Sequence, residues 1–228
     1  EDLVHMVVHD MRSPLTVIAG NLSFLKDECE KLSPQAAADL QDAIEGAEAV
    51  AKLANDLLDV SRLEEGKMPL RLAEHDLGDV ARAVQESLRA FERGRQIELD
   101  VASRAVVACD AAIVQRILEN LVSNAIKHAP AGSVIRISVG ASGAGARVAV
   151  ADEGAGVPPE ARQKIFEKFG LISARTQDRY HSAGVGLAFC KLAVEAHGGA
   201  IGVEPREPNG SIFWFELPRS SQVHAPAS

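Results

Sequence analysis

His9 is followed by Asp10, and such a carboxylate can hold one imidazole nitrogen protonated while the other lone pair attacks an electrophile or accepts a phosphoryl group. A plain surface histidine beside an aspartate has the same pattern. His5 and His9 are four apart and would share a helical face, as metal ligands do. Met6 follows His5, so the HExxH arrangement is absent, and no third ligand is evident. Asn120 and Asn124 are also four apart, followed by Lys127 and His128. Amide oxygens suit Mg2+, and a lysine one turn on can meet a phosphate oxygen. Two exposed amides on a helix would read the same way. Asp152-Glu153-Gly154-Ala155-Gly156 follows an apolar run. Its aspartate can accept from an exocyclic amine, and its glycines let the backbone approach a ring or ribose; an ordinary turn looks similar. Gly184-Val185-Gly186-Leu187 opens a helical pattern whose N-terminal N–H groups favour phosphate. Phe166 and Phe169 flank a Glu-Lys turn and fit a core as well as a site.

The elements that must position these residues fall into two textures. Val4, Val8, Met11, Leu15, Ile18, Leu22, Leu25, Cys29 and Leu32 alternate spacings of four and three, a heptad seam that predicts one helix over 3–32. His9 falls just off that seam, and Pro14 bends the helix inside it. Ser33-Pro34 predicts an N-cap and a second helix to about Glu65, with Leu40, Ala43 or Ile44, Ala47, Val50 or Ala51, Ala54, Leu57 or Leu58, and Ser61 on one face and Gly66 ending it. Two such helices cannot bury both apolar faces alone, so the expectation is a dimeric four-helix bundle; packing of the hairpin onto the rest of its own chain is the alternative. From residue 70 the pattern is mixed: strands at 70–73, 97–102, 106–109, 134–140, 147–151, 200–204 and 211–217, and helices at 77–93, 110–128 and 186–197. A short helix ends near Phe166, residues 141–145 form a hairpin loop, and 170–183 are irregular. Strands interleaved with helices read as an α/β sandwich. The expected division is 1–66, 70–218 and a disordered tail, 219–228.

Composition narrows the partners. The 228 residues are 46% hydrophobic and 25% charged, as in globular chains, with 32 acidic against 24 basic side chains and a net charge of −8. That sign argues against nucleic acid. The acidity is uneven: residues 1–66 hold 14 acidic and 5 basic side chains, a net of −9, while the remainder is near neutral. On the hairpin the acids read as a solvated outer face that biases partner encounter. Cys29, Cys109 and Cys190 form no CxxC pair or disulfide framework, which points to a reducing compartment. No apolar run approaches the ~18–20 residues that span a bilayer. The first residues carry no signal-peptide pattern, and without an initiator methionine the sequence reads as a fragment whose upstream part is missing.

Together and in this order, the motifs resemble a bacterial two-component sensor histidine kinase core over residues 1–218. His9-Asp10-Met11-Arg12-Ser13-Pro14-Leu15 looks like the H box, Ile117 to Lys127 the N box, Asp152 to Gly156 the G1 box, Ile165 to Phe169 the F box, and Gly184 to Leu187 the G2 box. The resemblance implies a phosphoacceptor and dimerisation domain of the HisKA type, then an ATP-binding domain of the Bergerat (GHKL) fold. It makes His9 the phosphoacceptor and Asp10 its orienting base. Asn124 ligates Mg2+, with Asn120 nearby, Lys127 on the phosphates, and His128 where the family often has tyrosine. Asp152 reads the adenine amine, supported by Gly154 and Gly156; Phe169 belongs to the ATP site. Gly184, Gly186 and Leu187 cradle phosphates at the edge of a lid, 170–183.

Several positions depart from the family pattern. Ser182 replaces the first glycine of the usual G2 run, and Leu171 stands where a basic residue is common, which turns attention to Arg175 and Arg179 as γ-phosphate contacts or plain lid residues. The family's dephosphorylation element reads Asp10-Met11-Arg12-Ser13, so Ser13 is the candidate phosphatase residue. The implied activity is autophosphorylation of His9 from ATP, then transfer to an aspartate of a response regulator receiver domain. The implied setting is a cytoplasmic homodimer, its upstream sensor domain missing from this fragment, that makes no membrane contact through this segment, whether or not the parent protein is membrane-anchored. Two alternatives stand beside it: a degenerate, weakly ATP-binding scaffold, and a GHKL-type ATPase. The ATPases use a carboxylate one turn before the metal-binding asparagine; here that position is Asn120, and Glu119 points about 100° away.

Overall fold

In the computed structural model the residues described are 17–18, 20–23, 25, 33–89, 94–143, 145–168 and 185–219. The full N-terminal seam, the Pro14 bend, the 170–183 segment and the tail beyond Arg219 therefore fall outside them, though 17–18, 20–23 and 25 are helical. Helix α1 spans Pro34–Glu64. Ser33 Oγ accepts from the Ala36 N–H at 3.2 Å, proline occupies the first turn, and Gly66 follows the end at φ +64°. Serine supplies the acceptor that the first turn lacks, and proline loses no bond there.

The remaining order is β1 (Ala73–Asp76), α2 (Leu77–Leu88), β2 (Gln96–Val101), β3 (Val106–Cys109), α3 (Ala111–His128), β4 (Val134–Ser142), β5 (Gly145–Asp152), α4 (Gly186–Ala196), β6 (Ala200–Pro205) and β7 (Ser211–Pro218). Two 3-10 turns, Pro159–Ala161 and Lys164–Phe166, replace the expected short helix. The main sheet runs β2-β4-β5-β7-β6, and β1-β3 form a separate pair. Only β2 and β4 are parallel in the main sheet; its other neighbours are antiparallel. Strict alternation of buried and less buried residues along β5 and β7 gives the sheet one core face. Ile117, Leu118, Leu121 and Val122 of α3 and Phe189, Cys190, Ala193 and Val194 of α4 fill that face against Val148, Val150, Phe213 and Phe215.

Three boundaries differ from the sequence reading. The first strand is Ala73–Asp76 rather than 70–73, because it pairs with β3 from Ala73↔Cys109 to Asp76↔Val106. Its polar Glu74-His75-Asp76 run hid it from a hydrophobicity argument. Asp76 also caps α2, accepting from the Gly78 N–H at 2.9 Å. Helix α2 ends at Leu88 instead of 93. The 141–145 loop shrinks because β4 and β5 pair out to Ser142↔Gly145.

Helix α1 is no detached element. Val60 is fully buried in the same core as α3 and α4, and Leu63 packs against it. Arg116 of α3 reaches across to α1, with Nη1 2.5 Å from Asp59 and Nη2 2.6 Å from Asp56, while its Cζ lies 3.9 Å from the centre of the Phe189 ring. Asp56 is only 6% exposed. The acidic residues of α1 are thus not all a solvated face, since an arginine from the α/β unit has drawn two of them in. Meanwhile Val17, Ile18, Leu25, Val50 and Leu53 leave a large apolar surface exposed on the helical region.

Candidate functional site

Asp110 sets the start of α3 by accepting from the Ala112 and Ile113 N–H groups at 3.2 and 3.3 Å. Its own N–H donates to His197 Nε2 at 3.1 Å, which ties the beginning of α3 to the end of α4. The His197 Nδ1–H donates to Ala193 O at 2.7 Å, so the buried ring is neutral; burial lowers its pKa, against the backbone bond to Ala193 and the charge of Asp110. With α3 fixed, Asn120 and Asn124 lie one turn apart on it and half-buried, and Lys127 and His128 are exposed at its C-terminal end.

Asp152, the last residue of β5, is 3% exposed. Its Oδ1 accepts from the Gly154 N–H at 2.7 Å, and the Ser211 N–H also donates to the carboxylate. Burial raises its pKa, while those two N–H groups and the charges of His128 and Arg206 pull it down. Two glycines fix the loop's shape. A Cβ on Gly154 would lie 2.8 Å from Asp152 Oδ1 and 2.9 Å from the His128 carbonyl, so the loop is pressed against the end of α3. Gly156 holds φ +78°, where side chains are strained. A carboxylate pinned this way has an acceptor held in one direction beside a backbone without side chains, which suits an amine on a flat ring.

The second half of the site is the start of α4. Val185 offers no side-chain cap, so the first N–H groups of this helix have no side-chain acceptor from that position. Leu187 buries its side chain in the core. Asn120 Oδ1 stands 3.6 Å from where a Gly186 Cβ would be, which places Asn120 beside this helix end. Lys52 of α1 donates to the same oxygen at 3.3 Å, and the buried Asn120 amide also faces the Cys190 thiol. A helix start without a side-chain cap beside a polar amide fits an anionic ligand such as a nucleotide phosphate.

The structure therefore brings Asp152, Gly154 and His128 together on one side, and Asn120 and Gly186 on the other, with Asn124 on the helix that links them. His9, Asp10, Ser13, Phe169, Arg175, Arg179 and Gly184 lie outside the described residues. Phe166 is core, edge-on to Phe213 at 6.4 Å. Glu119 accepts from Gln115 Nε2 at 2.9 Å along α3. Among the described residues no cluster of three or more His, Cys, Asp or Glu side chains is arranged to hold a metal, so a cation here would rely on amide oxygen and phosphate. Cys109 and Cys190 are buried free thiols, pushed by burial up to about 11 and about 12. The sequence reading missed Lys52, Arg116, Arg206 and Ser211. Of these, Arg116 had a signal, a lone cation between the apolar positions Ile113, Val114 and Ile117 one turn before Asn120.

Comparison with known proteins decides the family. Residues 1–66 match the His Kinase A (phospho-acceptor) domain, and residues 109–221 match the histidine kinase-, DNA gyrase B-, and HSP90-like ATPase family. The chain belongs to the histidine kinases. The sensor histidine kinase AruS of Pseudomonas aeruginosa is 34% identical over 217 residues, covering 92% of this chain and 22% of that protein. The sensory/regulatory protein RpfC of Xanthomonas campestris is 32% identical, over 96% of this chain and 32% of its own length. Among solved structures, full-length ShkA in complex with AMPPNP superposes with a TM-score of 0.78 at 32% identity, over 99% of this chain and 47% of that one. The Acinetobacter baumannii histidine kinase AdeS gives 0.65 at 25% identity, over 92% and 98%. The chain of this kinase spans well under half the length of AruS and RpfC. No helix among the described residues is long and apolar enough to cross a membrane.

Proposed function

We propose that this chain is the catalytic core of a protein histidine kinase that binds ATP in the Asp152 site, phosphorylates His9 and passes the phosphoryl group to an aspartate of a response regulator receiver domain. The observation that carries the reading is Asp152, a buried carboxylate whose orientation is fixed by the Gly154 and Ser211 N–H groups beside a glycine-lined approach. Asp152 takes the adenine amine, and Gly154 and Gly156 leave room for the ring. Asn120, Lys127, Gly186 and the Leu187 backbone face the phosphates, with Gly184, Phe169, Arg175 and Arg179 completing that side. Asn124 would hold Mg2+, which when bound neutralises charge on the phosphates. Asp10 keeps the His9 imidazole oriented and takes its proton as the free nitrogen lone pair attacks. The new P–N bond forms as the bond from the γ-phosphorus to the bridging oxygen breaks, and ADP departs with that oxygen. Positioning and charge neutralisation supply most of the catalysis in such transfers.

The functional unit is a cytoplasmic homodimer. Exposed Val17, Ile18, Leu25, Val50 and Leu53 support it, since two helices leave this surface unburied in one chain. Incubation with γ-labelled ATP tests the kinase reading. Acid-labile label on the wild type that vanishes in His9→Ala is expected; label that survives this substitution, or none on the wild type, overturns it.

A further inference from the structure

Arg206 follows β6, in the turn that leads to β7, and links that turn to the nucleotide loop. Its Nη2 donates to Glu153 Oε1 at 3.1 Å, bonding the residue next to Asp152. Its backbone N–H donates to Gly210 O at 3.2 Å, closing the turn 206–210. That turn lies directly against the loop: a Cβ on Gly210 would fall 2.0 Å from Asp152 O, and one on Gly156 would fall 3.1 Å from Gly210 O. Gly210 at φ +122° and the next residue, Ser211, which donates to the Asp152 carboxylate, belong to the same strap. Arg206 Nη1 is buried with no partner among the described residues, although the side chain as a whole is a quarter exposed.

We propose that Arg206 is a positioning residue for base selection, which by bracing the Asp152–Gly156 loop and presenting its charge to Asp152 makes the site prefer a 6-aminopurine nucleotide to a 6-oxopurine one. The proposal rests on the nucleotide reading above and deepens it. An ionised Asp152 only accepts and so matches an exocyclic amine, whereas a protonated one donates and matches a carbonyl. Burial pushes Asp152 toward the protonated form. The groups that oppose burial come from three elements: the Gly154 N–H of its own loop, the Ser211 N–H and Arg206 of the strap, and His128 at the end of α3. Glu153 is the anion next in the chain, and Arg206 offsets it by pairing with it. Of the two cations, Arg206 keeps its charge at every working pH, while His128 supplies one only when protonated. Purine discrimination in this kinase therefore depends on a residue that never meets the base.

The test is calorimetric binding of non-hydrolysable ATP and GTP analogues to the whole chain between pH 5.5 and 8, for the wild type, Arg206→Met, Arg206→Lys and Glu153→Gln. The wild type is expected to keep its preference for the ATP analogue across the range. Arg206→Met should lose that preference at the acid end of the range and regain it toward pH 8, as Asp152 ionises. Arg206→Lys restores charge and should restore the wild-type pH profile. Glu153→Gln releases the brace but keeps the charge, so affinity for both analogues should fall together without a new pH dependence. Unchanged selectivity in Arg206→Met, or an equal loss for both analogues at all pH values, overturns the proposal. A wild type that binds neither analogue overturns the nucleotide reading itself, and this proposal with it.

Discussion

Arg116→Met is the substitution that most directly probes how the helical region is joined to the ATP-binding unit. The guanidinium sits 2.5 Å from Asp59 and 2.6 Å from Asp56, and the side chains of the three are 27%, 20% and 9% exposed. Burial works against the arginine's charge, but the bonds to Asp59 and Asp56 outweigh it and raise its pKa. Methionine keeps an apolar stem of similar length but removes the charged fork, and with it the stacking of the guanidinium on the Phe189 ring. Removing one partner of a fully buried ion pair costs about 3–5 kcal/mol. Lys52 stays 3.5 Å from Asp56 and part of the cluster is wet, which selects the lower end, ~3 kcal/mol. That is roughly a hundredfold shift in the equilibrium between docked and released units. Denaturant unfolding of Arg116→Met, Asp56→Asn and the double variant gives the pair's own coupling, and hydrogen exchange along 52–63 reports release of α1. A coupling of at least about 1 kcal/mol is expected, with faster exchange confined to α1. Additive effects within about 0.3–0.5 kcal/mol would refute the reasoning, because independent sites behave that way.

Three other outcomes follow from the geometry. Gly154→Ala puts a methyl 2.8 Å from Asp152 Oδ1 and 2.9 Å from the His128 carbonyl, so calorimetry should show at least about tenfold weaker binding of an ATP analogue, an overpacking cost on the order of 1–3 kcal/mol spent in the loop. Val60→Ala empties a fully buried position shared by α1 and the α/β core, and thermal unfolding should show a loss of ~2 kcal/mol. His197 is held neutral with its pKa lowered from 6.5. The unfolded chain thus takes up a proton first: the stabilisation is complete above pH 6.5 and is lost as pH falls through the folded value below it. Denaturation midpoints measured at pH 5 and 7 should differ more for the wild type than for His197→Gln.

The layout of the α/β unit was legible because its signals are local. Asp110 at a helix start, the alternation of β5 and the glycines after Asp152 each follow from a few neighbouring residues. Val106–Cys109 and the end of α3 at His128 were placed to the residue for that reason. The polar strand β1 was not, because its pairing with β3, from Ala73↔Cys109 to Asp76↔Val106 and distant in sequence, is what makes it a strand. The nucleotide loop shows the same limit at a finer scale. Asp152, Gly154 and Gly156 are adjacent in sequence, whereas Ser211 and Arg206, which orient and charge-balance the loop, arrive from another strand. Arg116, Asp56 and Asp59 likewise belong to separate units whose contact no spacing rule encodes.

The placement of β5 between β4 and β7 has a consequence in time. β4 and β5 form a hairpin whose partners are close in sequence, and such pairs close quickly. The other edge of β5 stays open until β7 is present, about 60 residues later, with Asp152 paired to Ser211 in the register. During synthesis the apolar side chains of β5 and an unpaired strand edge are therefore exposed while the segments leading to α4 and β6 are still being made. The Asp152 side of the site cannot exist in any nascent chain shorter than this last strand. An emerging kinase would thus remain unable to bind nucleotide until its sheet is complete.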